Sequence, residues 1–280
     1  MRTSIIRIRE MKQKGEKVTM LTAYDYSTAM IVDEVGIPLI LVGDSLGMTM
    51  LGYETPIPVT MEDMLMHVKS VVRGTKNALI VGDMPFMTYH VSVEQAVANA
   101  GRFLQEGGCQ AVKLEGGVTV ADKIKRIVDS GIPVCGHIGL TPQSINQLGG
   151  YRIQGRNKDA AIKVIKDAEA VEQAGAFAVV LETVPAALSA FISKRLSIPT
   201  IGIGAGVGCD GQVQVIHDIL GLYPNFVPKH AKQYANLHDV VKNAIADYFN
   251  EVKAGTFPTE ANSFSIDPAV IKELEAELGK

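Results

Sequence analysis

Five short apolar runs of this sequence end in, or carry near their ends, side chains able to hold a metal or move a proton. LILVGDS closes on Asp44 and Ser45, and LIVGDMPF carries Asp83. AVKLEGG carries Lys113 and Glu115, VCGHIGL carries His137, and AVVLETV carries Glu182 near its end. In a strand, residues two apart share a face, so Lys113 and Glu115 point the same way. Taken singly, each has a plain explanation. Asp44 and Asp83 read as turn or helix-capping residues, Lys113 and Glu115 as a structural ion pair, and His137 as a hydrogen-bonded core histidine. Taken together they read differently, because four carboxylates in one low-dielectric mouth are costly unless protons or a cation compensate. Hard oxygen ligands without paired cysteines favour Mg2+ over zinc. The chemistry such a set supports is metal-assisted proton transfer.

The elements that must position these groups follow a repeating pattern. A polar, periodic segment ends at Gly, often with Pro soon after, and a run of apolar, mostly β-branched residues follows; VDEVGIPLILVGD, VDSGIPVCGHIG and KRLSIPTIGIGAG are examples. Gly ends a helix in a left-handed turn and Pro discourages its resumption. The apolar run has the length and flanks of a buried parallel strand. About eight such strands are expected, near 18–25, 39–45, 79–86, 111–117, 134–140, 178–184, 200–206 and 225–229. Helical patterns such as VSVEQAVANAGRFLQEG and NKDAAIKVIKDAEAVEQAG separate them. The alternation predicts one (β/α)8 TIM barrel over 1–255, with an N-terminal helix at 4–13 closing its bottom and helices after 237. A doubly wound open sheet is the rival that periodicity leaves open. Residues 256–280 are expected to form a tail with a short helix, part of the same domain or an oligomer contact. All the ionisable groups singled out lie in the second halves of their strands, the end where catalytic groups of such barrels gather. The polar stretch 141–157 is long for a connection and is expected to be a binding loop or lid.

Composition bounds the rest. The chain has 280 residues, 47% hydrophobic and 20% charged, with a formal net charge of -3. That balance gives no support for nucleic-acid or membrane-surface partners, which need a concentrated basic face. The charged N-terminus lacks a signal-peptide pattern, and no apolar run is long enough to cross a bilayer. Cys109, Cys135 and Cys209 have no paired spacing and read as reduced, buried residues of a cytoplasmic protein. IGIGAGVG at 201–208 lacks the full spacing of a dinucleotide fingerprint, so ligand approach and close packing both remain open for it.

Several motifs fall together in one order: YDYSTA at 24–29, VGDSLGMTMLGY at 42–53, VGDMPF at 81–86, AVKLEGG at 111–117, GHIGLTPQ at 136–143, YRIQGR at 151–156 and IGIGAG at 201–206. Over nearly the whole chain to about Asn250, the sequence closely resembles the ketopantoate hydroxymethyltransferase family. The resemblance implies a Mg2+-dependent TIM-barrel enzyme moving a one-carbon unit from 5,10-methylenetetrahydrofolate onto 3-methyl-2-oxobutanoate, an early step of pantothenate synthesis. By that resemblance Asp44 and Asp83 match metal ligands, and Glu115 associates with the metal directly or through water. Ser45 and Lys113 match contacts to the oxo acid, His137 matches a residue of the same pocket, and Glu182 matches the general base. A large homo-oligomer, typically a decamer, is also implied. A chelated Mg2+ and Lys113 would then both stabilise an enolate that attacks the methylene of the folate.

Two rival readings stand beside this one. Barrels of the phosphoenolpyruvate mutase and isocitrate lyase kind also set Asp residues around Mg2+, but commonly depend on a catalytic Cys or a mobile loop that the sequence does not display, and Cys135 lies within a strand before His137. A non-catalytic binding protein on a barrel scaffold gives no reason for charges to converge at one mouth.

Overall fold

The computed structural model describes residues 2–223 and 226–279. In chain order come α1 (Ile5–Gln13), β1 (Val18–Thr22), α2 (Tyr26–Val35), β2 (Leu39–Val42), the short α3 (Leu46–Thr49), α4 (Met61–Gly74) and β3 (Leu79–Asp83). Next are α5 (Val93–Arg102), prolonged by a π turn over Phe103–Gly107, then β4 (Ala111–Glu115), α6 (Ala121–Asp129) and β5 (Val134–Gly139). After α7 (Ile145–Leu148) and α8 (Lys158–Gln173) come β6 (Ala178–Glu182), α9 (Ala186–Arg195), β7 (Thr200–Ile203), β8 (Gly211–Gln214) and α10 (Ile216–Leu220). α11 (Leu237–Ala254) and α12 (Pro268–Leu278) follow. Every neighbouring pair of strands is parallel, and the sheet closes because β1 pairs with both β2 and β8. The fold is a (β/α)8 barrel, and the open-sheet rival is excluded.

One strand is not where the sequence placed it. The eighth strand is Gly211–Gln214, not 225–229. Asn225 lies outside the described residues, and 226–229 form no strand. GQVQ escapes a search for apolar runs because only its inward positions, Gly211 and Val213, are buried, while Gln212 faces solvent. The other strands start where expected but are shorter, since several expected ends, such as 84–86 after β3, belong to the loops that follow.

Strand alternation divides the hydrophobic residues into two cores. Leu39, Leu41, Leu79, Val81, Ala111, Cys135, Ala178, Val180, Ile201 and Val213 face the barrel interior. Their chain neighbours Ile40, Val42, Ile80, Val112, Leu114, Val134, Val179 and Leu181 pack outward against the helices. Burial on both faces is why these strands read as continuous apolar runs. The bottom of the interior is closed by α1, whose Ile8 and Met11 join the inner core. Ser4 caps this helix by accepting from the Arg7 amide. Lys12 Nζ fastens it to the barrel, donating to Asp210 Oδ2 at 2.9 Å and to the Ser193 and Ile198 carbonyls.

Helix ends obey the expected chemistry. Asp25 caps α2 through the Thr28 amide, and Gly36 ends it at φ 89°, a left-handed geometry that L side chains disfavour. Thr60 and Asp63 form a capping box on α4. In the 201–208 segment, a side chain at Gly206 or Gly208 would overlap Ala186 or Ala190 of α9. Close packing therefore accounts for those two glycines.

Candidate active site

The inward rows of the barrel change from hydrocarbon to charge at the C-terminal end. Asp83 continues the row of Leu79 and Val81, Lys113 and Glu115 continue that of Ala111, His137 that of Cys135, and Glu182 that of Ala178 and Val180. Register brings them level, with Asp83 beside Lys113 and Glu115 beside His137. Asp44 and Ser45 reach the same place from the turn after β2. Asp44, Ser45, Asp83, Lys113, Glu115, His137 and Glu182 all line one cavity of about 670 Å³. The expected loop 141–157 forms part of its wall through Pro142, Tyr151 and Ile153.

The plain explanations fail for the residues at β2. Ser45 precedes α3 but makes no capping bond; its Oγ lies 2.8 Å from the Tyr24 hydroxyl. Asp44 Oδ2 accepts from Gln143 Nε2 at 2.8 Å, and the Asp44 amide donates to Asp83 Oδ2 at 3.1 Å. Lys113 is paired, but less closely with Glu115 than with Asp83: its Nζ is 2.8 Å from Asp83 Oδ1 and 3.9 Å from Glu115 Oε1. His137 Nε2 lies 3.1 Å from Glu182 Oε2. Its Nδ1 has two neighbours, Lys113 Nζ at 3.1 Å and Glu115 Oε1 at 3.4 Å.

These contacts set the charges. Burial drives the Asp44 carboxyl well above its ordinary pKa, and the nearby Asp83 and Glu115 add to the rise. Burial also raises Asp83, although Lys113 opposes it. Burial works against ionisation of Glu115 too, but the bonds from His137 and the Gln143 amide and the charge of Lys113 hold its pKa below the usual range. Burial and Lys113 push the His137 imidazole down, yet Glu115 and Glu182 outweigh them and hold it at about 9. That direction favours the imidazolium, in which Nδ1 donates toward Glu115.

The same atoms test the fit of a metal. Among the described residues, no group of three or more His, Cys, Asp or Glu side chains forms a ready-made cage. Mg2+ does not require one, since it usually keeps several waters and takes one or two carboxylates together with substrate oxygens. Three buried carboxyl groups, Asp44, Asp83 and Glu115, face only two cationic side chains, Lys113 at 2.8 Å from Asp83 Oδ1 and His137 at 3.4 Å from Glu115 Oε1, and Asp44 is pushed toward protonation by burial and its acidic neighbours. A hard cation beside Asp44 and Asp83 would relieve both conditions, so the donor set fits Mg2+.

Cys135 faces the inner core with no exposure, and burial pushes its thiol up to about 12. A thiolate nucleophile is excluded there. Three residues that order the site escaped the sequence reading: Tyr24, Tyr89 and Gln143. Tyr24 and Gln143 stand inside motifs noted above, yet they act through contacts to residues far away in the chain. Gln143 and Asp44 are 99 positions apart, which no local periodicity reveals.

Comparison with known proteins adds independent findings. Residues 2–260 match the family model described as ketopantoate hydroxymethyltransferase. The chain is 62% identical over 275 residues to the 3-methyl-2-oxobutanoate hydroxymethyltransferase of Dehalococcoides mccartyi, covering 98% of each. It is 60% identical over 257 residues to that of Syntrophus aciditrophicus, covering 92% of this chain and 94% of the other. Among solved structures, a phosphoenolpyruvate phosphomutase from Streptomyces platensis subsp. rosaceus superposes with a TM-score of 0.60 at 15% identity, covering 98% of this chain and 95% of that one. That likeness is one of fold alone.

Proposed function

The chain belongs to the ketopantoate hydroxymethyltransferase family, and from that premise we propose that, with uptake of one water, it transfers the one-carbon unit of 5,10-methylenetetrahydrofolate as a hydroxymethyl group to 3-methyl-2-oxobutanoate, giving 2-dehydropantoate and tetrahydrofolate for pantothenate synthesis. The observation that carries the reading is the convergence of Asp44, Asp83, Lys113, Glu115, His137 and Glu182 on one cavity at the mouth of the barrel. Asp44 and Asp83 would hold Mg2+, with Glu115 beside them. When bound, the ion supplies Lewis-acid polarisation of the oxo acid's ketone and carboxylate oxygens.

The chain's own residues do the rest. Lys113 and Ser45 bind the oxo acid, and the ammonium of Lys113 stabilises negative charge as it develops on the ketone oxygen. Glu182 takes the proton from the carbon next to the ketone. His137 orients that carboxylate through its Nε2 and keeps a positive charge beside it. One water cleaves both C–N bonds of the folate's methylene bridge, releasing tetrahydrofolate and leaving the carbon at the oxidation level of formaldehyde. The carbon nucleophile adds to it, the C=O π pair goes to oxygen, and the proton held by Glu182 completes the hydroxyl, while holding the reactants together removes much of the entropic barrier. The loop at 141–157 covers the mouth and limits water.

The cavity, with a length of apolar wall in Leu41, Met48, Val180, Ile203 and Val213, accommodates a branched oxo acid and a second, larger substrate. Homo-oligomerisation, to a decamer on family grounds, is supported by α11. None of its 18 residues is buried in the single chain, and Val241, Ile245, Tyr248, Phe249 and Val252 are exposed. Residues 256–279, exposed but for the half-buried Phe257, continue that surface. A cytoplasmic setting is supported by three buried cysteines that form no disulfide. Among the described residues, no helix is long and apolar enough to cross a membrane. The test is an assay of 2-dehydropantoate formation with the oxo acid, the folate and Mg2+ withheld in turn. Product formed without the folate would overturn the assignment.

A further inference from the structure

Two buried residues outside the cavity hold its carboxylates in place. Gln143 is 2% exposed and Tyr89 is fully buried, and neither lines the cavity. Gln143 nevertheless reaches three strand ends. Its Nε2 donates to Asp44 Oδ2 at 2.8 Å and to the Met84 carbonyl at 2.9 Å, and its backbone amide donates to Glu115 Oε2 at 3.0 Å. Its Oε1 accepts from the Tyr89 hydroxyl at 2.7 Å, and that hydroxyl oxygen in turn accepts from the Glu115 amide at 3.1 Å.

The network has a single consistent direction. The Glu115 amide can only donate, so the proton of Tyr89 must point to Gln143, and Gln143 must present its carbonyl oxygen there. Both N–H groups of its amide then face Asp44 and Met84, which offer only lone pairs when Asp44 is ionised. Reversing the amide would set oxygen against oxygen at two buried contacts and leave the Tyr89 proton facing a nitrogen that cannot accept it. Each carboxylate therefore has one oxygen tied back into the protein, Oδ2 in Asp44 and Oε2 in Glu115. The other oxygen of Glu115, Oε1, lies on the side of His137 and Lys113, 3.4 and 3.9 Å from their nitrogens.

From this arrangement, which rests on the reaction proposed above, we infer that Tyr89 and Gln143 are positioning residues that fix the rotation of the Asp44 and Glu115 carboxyl groups and so set the affinity of the site for a divalent cation and the oxo acid. Gln143 stands at the root of the 141–157 loop. The clamp thereby joins that loop to the carboxylates after β2 and on β4.

The probe is Mn2+, titrated into the full chain and followed by electron paramagnetic resonance, with 3-methyl-2-oxobutanoate affinity measured separately by calorimetry. Gln143→Met keeps the side-chain length but removes both donors and the acceptor. Its Mn2+ affinity is expected to fall by roughly 10–100-fold, the range for partners that orient a metal's ligands. Tyr89→Phe removes one hydroxyl and guards against a Gln143 variant that does not fold. It should weaken Mn2+ binding by about 3–10-fold, the factor a single hydrogen bond contributes. In both variants KM for the oxo acid rises along with the loss of Mn2+ affinity. Variants that melt at lower temperature yet bind Mn2+ and oxo acid as the wild type does would reduce the clamp to a structural role and overturn the inference. Should the wild type bind no Mn2+, the metal reading fails instead, and the oxo-acid affinities of the two variants decide for or against the clamp.

Discussion

Replacing Lys113 by Met tests the electrostatics of the site most directly, because the change keeps the apolar stem and deletes only the charge. Lys113 Nζ is 2.8 Å from Asp83 Oδ1 and 3.9 Å from Glu115 Oε1, with its side chain 4% exposed. At an effective dielectric of 20 those separations correspond to ~6 and ~4 kcal/mol of attraction, much of it offset by the desolvation of the ammonium. What the variant loses is the compensation of carboxylates that remain buried, a cost of about 3–5 kcal/mol. For a chain of this size that is a fall in melting temperature on the order of 10 °C. Saturating Mg2+ should recover part of the fall, since it binds the same carboxylates. With the oxo acid present, kcat/KM should drop by about 10²–10³, the effect of removing one group that stabilises a developing anion. Thermal melts with and without Mg2+, together with steady-state kinetics, are the measurements. An unchanged melting temperature would refute the buried-pair reasoning. A destabilised enzyme that keeps its kcat/KM would remove Lys113 from the chemistry.

Other perturbations separate the remaining roles. Glu182→Gln should keep the fold and divalent-cation binding while slowing exchange of the substrate's C3 hydrogen with deuterated water by about 10²–10⁴; NMR exchange at the wild-type rate would take the base role away from it. Asp44→Ala and Asp83→Ala should each weaken Mg2+ binding in the presence of oxo acid, and the double variant should lose little beyond the worse single one. Fully additive losses by calorimetry would mean separate sites. Away from the active site, the buried Asp33 accepts from the amides of Lys76, Asn77 and Ala78. Burial opposes its ionisation, but those bonds and Arg2 hold its pKa below the ordinary value. Its contribution is therefore complete above the unfolded-state pKa of about 4 and is lost as pH falls through the lower folded value. Asp33→Ala should cost about 3 kcal/mol at neutral pH. Asp33→Asn should flatten the acid limb of the stability curve, and urea melts at several pH values that superpose with wild type would contradict this.

Much of this molecule was legible in the sequence because parallel strands buried on two faces leave long apolar signatures. Gly and Pro mark where each helix stops, so seven strands were placed. The eighth escaped because its alternate residues, the exposed Gln212 and the cavity-lining Gln214, are polar and break the apolar signature, while the apolar Phe226 and Val227 drew the assignment downstream. The site was legible for a related reason. Asp83, Lys113, Glu115, His137 and Glu182 have the parity of the inward rows, so their convergence follows from strand geometry alone. Partner choice did not follow. Lys113 and Glu115 share a face, yet the closer carboxylate belongs to the neighbouring strand, two residues after Val81. Cross-strand register decides that contact, and a single strand's sequence does not encode it. Tyr24, Tyr89 and Gln143 were out of reach for the same reason, since each acts through contacts that exist only once the barrel has closed.

The plug formed by α1 has a kinetic side. With Ile8 and Met11 filling the foot of the barrel, the cavity is a well with one opening, and everything that enters or leaves shares it. Lys113 and His137 lie at its floor, each at most 4% exposed, whereas Tyr53, Tyr151 and Phe226 stand at the rim, 38% exposed or more. A small molecule bound at the floor must arrive before a large one settles above it, and its product must wait for the large one to go. On the proposed reaction the sequence is compulsory: oxo acid first, folate second, tetrahydrofolate out before 2-dehydropantoate. Product-inhibition patterns should accordingly show 2-dehydropantoate competing with the oxo acid and not with the folate.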